Sequence, residues 1–267
     1  MKSGDVLIVA GKGHENYQEY KIKKLFSDKK CIKECILKKN KSLSIYWKTN
    51  IISEKLNTDL NLNKFNIHSA SLNSKNIKKN QFFVGVKGKK FDGNKYASEA
   101  LKNRASVAVI DKFYPPSNKN KIFVKNSLNT FSNIAAKIRI VSKINSIGIT
   151  GSAGKTSLKE LIGQSLSKFY KTSYSRNSFN NKFGVPLSLF NIKKGSKFGV
   201  FEIGMDKKGE IHNLSKFVQP SVGIITNISY AHIKNFKNLK EIAEAKSEII
   251  NNITNDGIII LNKDDKF

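Results

Sequence analysis

Cysteine and arginine are scarce in this chain of 267 residues, and no apolar run approaches the length of a bilayer. Cys31 and Cys35 are the only thiols, four apart in a lysine-rich stretch with no neighbouring His or further Cys. A zinc tetrahedron is excluded there, and two reduced thiols on one helix face are expected rather than a disulfide. The longest apolar stretches, 6–10 and 257–261, have strand length, which excludes a transmembrane helix and membrane insertion. The first residues lack the charged-then-apolar layout of a secretory leader, so a cytoplasmic protein is expected. Arg104, Arg139 and Arg176 are the only arginines among 48 basic residues, although the net charge is +28. Nucleic-acid recognition leans on arginine's bidentate fork, and these lysines are spread along the whole chain. The charge therefore reads as compositional bias, with no nucleic-acid partner expected, while its field still favours small anionic substrates.

What the sequence does contain is a phosphate-binding pattern. Residues 146–157, Ser-Ile-Gly-Ile-Thr-Gly-Ser-Ala-Gly-Lys-Thr-Ser, run from an apolar strand through a glycine-rich turn into a helix. Backbone N–H groups of Gly151, Ser152, Ala153, Gly154, Lys155, Thr156 and Ser157 are expected to converge on phosphate oxygens at the positive end of the helix dipole. Lys155 then reaches the β/γ-phosphates of ATP and the Thr156 hydroxyl holds Mg²⁺. The pattern is a variant, because the strict form places glycine where this chain has Ile149.

Periodicity divides the chain into three segments. Residues 1–42 carry a strand at 6–10, a Gly-Lys-Gly-His-Glu turn and a helix near 28–38, too little to bury a core alone. Residues 43–143 alternate strands (81–86, 106–111, 121–124) and helices (94–103, 128–141), which gives a small α/β domain. Residues 144–267 place strands near 198–203, 222–225 and 257–261 between helices near 155–169, 209–217 and 239–251. The expected result is an open, mostly parallel sheet with helices on both faces, whose ligand sits beyond the carboxyl ends of the strands beside Glu202, Asn227 and His232. The last strand is followed by no covering helix, so an incomplete sheet is expected.

Four further patterns point to a family: Ser178–Pro186 (Ser-Phe-Asn-Asn-Lys-Phe-Gly-Val-Pro), Phe201–Met205, Thr226–His232 and Glu241–Glu248. In this order after the loop they resemble the central ATPase domain of the Mur ligases, and most closely the branch that adds D-alanyl-D-alanine. Upstream, Asn73-Ser74-Lys75 with 81–84 and Phe91-Asp92-Gly93 is similar to the uridine-nucleotide-binding domain of that branch, which usually has Asp-Ser-Arg at the first of these. Residues 11–18, Gly-Lys-Gly-His-Glu-Asn-Tyr-Gln, resemble instead the carboxyl end of the diaminopimelate-adding ligases. The chain thus resembles a junction of two ligases, with a remnant in 1–42, a UDP-substrate domain in 43–143 and part of an ATPase domain in 144–267.

The resemblance implies ATP and Mg²⁺ as cofactors, and UDP-N-acetylmuramoyl-tripeptide and D-alanyl-D-alanine as substrates joined through an acyl phosphate in peptidoglycan synthesis. It implies Lys155, His232 and Lys246 as catalytic, the last as a carbamylated lysine. Thr156, Glu202 and His232 fall to the metal, and Ser74, Lys75, Asn180 and Asn181 to the substrate. Competing readings stay open: a strand-end acid for Glu202, a loop histidine for His232, a surface helix lysine for Lys246 and turn asparagines at 180 and 181. At the level of function, the alternatives are a folylpolyglutamate-synthase-like ligase and a nucleotide-binding fragment without activity. The family's closing C-terminal domain, expected to be needed for turnover, has no counterpart after Phe267.

Overall fold

The computed structural model describes residues 17–18, 24–25, 47–56, 58, 60–88, 91–175, 177–230 and 235–267. The strand, turn and helix expected within 6–38 lie outside the described residues. The chain forms two compact units, 1–47 and 48–267. In the first, β1 (Tyr17–Gln18) pairs antiparallel with β2 (Lys24–Leu25).

The second unit opens within helix Trp47–Lys55, whose first residue is the last of the first unit, and then builds a four-stranded parallel sheet from β3 (Ser69–Ser71), β4 (Gln81–Val84), β5 (Val107–Ile110) and β6 (Lys121–Phe123), in that order. Phe82, Phe83, Val84 and all of β5 are buried, as expected of central parallel strands covered on both faces. Helix Ala97–Lys102 follows a short 3₁₀ turn at Gly93–Tyr96. Helix Ser127–Ser142 starts at Asn126, whose side chain accepts the Asn129 N–H, and ends at left-handed Lys143, φ 50°.

The chain then enters a second parallel sheet: β7 (Asn145–Thr150), β8 (Thr172–Tyr174), β9 (Phe198–Glu202), β10 (Val222–Ile225) and β11 (Ile258–Leu261), ordered β11-β10-β7-β9-β8. Strands after β7 first build outward on one side, through β8 and β9, and then on the other, through β10 and β11. That reversal at β7 opens a crevice beyond its carboxyl end, between the ends of β9 and β10, which is where ligands enter such sheets. The connecting helices are Lys155–Ser167, Gly184–Phe190, Glu210–Val218 and Leu239–Ser247.

The two sheets share packing. Phe82 of β4, Phe131 of helix Ser127–Ser142 and Phe190 stack with ring centroids 5.4–6.5 Å apart, all three fully buried. Beside them, the Asn191 amide accepts the Ala70 N–H at 2.8 Å and donates to the Ala70 carbonyl at 3.3 Å. A side chain thereby satisfies both free backbone groups at the edge of β3. Helix Gly184–Phe190 and β3 escaped the sequence reading because seven residues containing Gly and Pro carry no helical period, and Ser-Ala-Ser has little strand character. Among the described residues no helix is long and apolar enough to cross a membrane.

Candidate phosphate-binding site

The crevice is floored by the loop after β7. Gly151 (φ 142°) and Gly154 (φ 77°) occupy backbone regions that L side chains rarely enter, and a Cβ on Gly151 would collide with the Thr226 hydroxyl. The loop is clamped from β10. Ser152 N–H donates to the Asn227 carbonyl and Ala153 N–H to Asn227 Oδ1, both at 2.9 Å. Thr226 Oγ1 donates to the Ala153 carbonyl at 2.6 Å, and Ser152 Oγ donates to the Ser229 carbonyl at 2.9 Å while accepting the Ser229 N–H at 2.8 Å. The amides of Ser152 and Ala153 are thus spent on holding the loop rather than aimed at a ligand. Helix Lys155–Ser167 has Gly154 as its N-cap and no side-chain cap, so its first-turn N–H groups face the crevice without an intrahelical acceptor.

One turn into the site, Thr156 Oγ1 donates to Glu202 Oε2 at 2.8 Å. Glu202, at the end of β9, is 1% exposed, and its other oxygen accepts from Asn180 Nδ2 at 2.7 Å. Asn180 is itself fixed, since its carbonyl accepts the Gly204 N–H at 2.8 Å. With the Thr156 hydroxyl, this buried side chain offers hard oxygen donors to a hard cation such as Mg²⁺. No group of three or more His, Cys, Asp or Glu side chains gathers as a metal cage among the described residues. The donor set fits an ion that keeps most of its waters.

Lys155 stands near this carboxylate. Lys155 Nζ lies back across the loop, donating to the carbonyls of Gly151 (2.7 Å) and Ser152 (3.1 Å). Burial lowers its pKa and the nearby Glu202 pulls the other way. Lys246, in helix Leu239–Ser247, is 2% exposed rather than on the surface. Burial first and Lys155 second bring its pKa down to about 8. Lys155 therefore interacts with a carboxylate and with a second amine.

The remaining expected residues scatter. Ser157 is exposed on the helix. Asn181 Oδ1 accepts the N–H groups of Phe183 and Gly184, both at 3.0 Å, and so starts helix Gly184–Phe190. Ser74 and Lys75 sit after β3 in the other sheet, Ser74 buried with its carbonyl taking the Asn103 amide at 3.0 Å, Lys75 exposed. Neither bonds to the loop. His232 lies outside the described residues. Sequence reasoning passed over Asn227 as a loop clamp and gave Lys159 no part. Asn227 was detectable as a polar residue two positions past the end of a buried strand, opposite the loop.

Comparison with known proteins agrees with this arrangement. Residues 149–267 match the Mur ligase middle domain. The UDP-N-acetylmuramoyl-tripeptide–D-alanyl-D-alanine ligase of Rickettsia prowazekii is 35% identical over 217 residues, covering 81% of this chain and 48% of that protein. The crystal structure of MurF from Acinetobacter baumannii superposes with a TM-score of 0.69 at 32% identity, over 75% of this chain and 44% of that one. MurF from Thermotoga maritima, solved in complex with ADP, gives 0.66 at 31% identity over 74% and 46%. The chain spans about half the length of the relatives it matches. With a match that begins inside β7 and continues through the crevice, residues 149–267 are a middle domain of the Mur ligase family.

Proposed function

We propose that this protein acts in ATP-dependent amide formation, joining UDP-N-acetylmuramoyl-tripeptide to D-alanyl-D-alanine in peptidoglycan synthesis. The observation that carries the reading is the Thr156–Glu202 pair beside an uncapped helix N-terminus at the switch point of a parallel sheet. First-turn amides bind the terminal phosphates of ATP, and Lys155 turns from its loop carbonyls to neutralise the β/γ oxygens. Thr156 and Glu202 and, on the family resemblance, His232 would hold Mg²⁺, which would supply charge neutralisation for γ-phosphoryl transfer. A carboxylate oxygen of the tripeptide forms the new bond to the γ-phosphorus as the bond to ADP breaks. The dipeptide amine then attacks the acyl carbon, inorganic phosphate leaves and the amine's proton is lost. Positioning and charge do this work, so no protein nucleophile is required.

Lys246 suits carbamylation because an amine with a pKa near 8 keeps a neutral fraction at physiological pH. Loss of one proton frees the amine, and addition of CO₂ to it with loss of a second proton leaves a carbamate anion where the cation stood, which removes the repulsion with Lys155. Ser74, Lys75 and Asn180 are assigned to the substrate side, 43–143 to the uridine nucleotide and 144–267 to ATP. A second reading is nucleotide binding without turnover, because the helix N-terminus and the Thr156–Glu202 pair serve a bound nucleotide whether or not ligation follows. Phosphate release from ATP with the tripeptide, measured with and without D-alanyl-D-alanine, separates them: dipeptide-dependent release supports ligation, and ADP binding without it supports the second reading.

A further inference from the structure

Lys159 is a fully buried lysine that the reaction above does not use. It sits three residues past Thr156 in helix Lys155–Ser167, so the two side chains leave the same face. Its ammonium donates to the Asn177 carbonyl at 2.6 Å and pairs with Glu160 Oε1 at 2.9 Å. Stripping an ammonium of water is costly, and two partners offset that cost without making the charge useful to the fold: an apolar side chain of similar volume serves a core as well or better. The position of its acceptor is what distinguishes this lysine. Asn177 is a non-glycine residue at φ 47° that starts the stretch carrying Ser178 and Asn180. Ser178 Oγ lies 3.4 Å from Thr156 Oγ1, and Asn180 Nδ2 lies 2.7 Å from Glu202 Oε1. On its far side the stretch is tied to β9's end through the Asn180 carbonyl and the Gly204 N–H.

We propose that Lys159 is a positioning residue that ties the 177–180 stretch to the phosphate-loop helix and so holds Asn180 and Ser178 against the Thr156–Glu202 pair. The helix that carries Thr156 then also sets the second donor to Glu202, and the carboxylate's rotamer is determined from both sides. This rests on the reading of Thr156 and Glu202 as the metal-binding pair, but its central contact does not. Partners that orient metal ligands in this way are worth about 10- to 100-fold in metal affinity.

Lys159→Met separates positioning from packing. Expected in the folded variant are faster amide hydrogen exchange across 177–181 and at Gly204, unchanged exchange in the second half of helix Lys155–Ser167, and about tenfold weaker binding of ADP with Mg²⁺ by calorimetry. ADP without Mg²⁺, held by the helix amides, is expected to bind as before. Native exchange across 177–181 in a folded Lys159→Met protein overturns the proposal. If that variant does not fold, Lys159→Gln, which keeps a donor on a shorter arm, decides by the same exchange measurement. Should the unaltered chain itself show no response to ADP with Mg²⁺, the ATP reading falls, and the exchange result still judges Lys159.

Discussion

Glu202 shows how one residue's environment decides its chemistry. It is a buried acid with one donor on each oxygen, and Glu202→Gln turns one acceptor into a donor that must face Thr156 or Asn180. That variant is expected to lose Mg²⁺-dependent ADP binding by tenfold or more, on the order of a ligand loss, while its melting temperature falls only modestly. Calorimetry with and without Mg²⁺ checks it, and equal affinities for the two proteins would remove Glu202 from the metal site. Gly151→Ala is expected to be worse for the fold, because φ 142° and the Thr226 hydroxyl both reject a Cβ. A destabilisation of about 1–3 kcal/mol in urea unfolding is expected. The glycine turn at Gly151 and the helix start at Lys155 were legible because their spacing is local. The contacts that Asn227 and Lys159 make were not, since their partners lie 74 and 18 residues away in the chain.

Elements with strong internal periods, such as helix Ser127–Ser142 and the buried β4 and β5, were legible to within a few residues. Short ones were not, because helix Gly184–Phe190 exists through its contacts: Asn181 starts it, Phe190 stacks on two rings of the other sheet's layer, and Asn191 closes the edge of β3. Phe190→Ala is therefore expected to cost about 3–5 kcal/mol. Because the ring belongs to both sheets' packing, far-ultraviolet circular dichroism and tyrosine fluorescence should shift together in denaturant; separate transitions would show the sheets to be uncoupled. Gly163→Ala tests helix against packing. Alanine gains up to about 1 kcal/mol as a helix former, yet the new Cβ would sit 2.7 Å from the Tyr174 ring of β8, so net destabilisation is expected.

At the scale of the whole molecule, a large positive charge coexists with a lysine buried beneath it. Lys48 is 2% exposed, donates to the His68 carbonyl at 2.7 Å and stands 5.5 Å from the centre of the Phe190 ring. Burial brings its pKa from 10.5 to about 7. The folded state therefore sheds this proton before the unfolded state does, and stability from this group rises with pH between about 7 and 10.5. Deprotonation of surface lysines acts in the same direction by easing self-repulsion from the net charge of +28. Urea midpoints are expected to climb from pH 7 to 9.5, and Lys48→Met to flatten part of the climb. An unchanged slope in that variant would mean Lys48 titrates normally.

The sequence alone determined the parallel α/β class, the glycine-rich turn from strand into helix and the family resemblance, because alternating apolar runs and a contiguous motif are written in neighbouring residues. Tertiary structure decided what the isolated residues do. It turned the Ser152 and Ala153 amides inward onto Asn227, made Asn181 a helix start, and buried Lys48, Lys159 and Lys246. Those outcomes depend on which distant groups burial brings together. A side chain's charge and hydrogen bonds are set by that company, not by its neighbours in sequence.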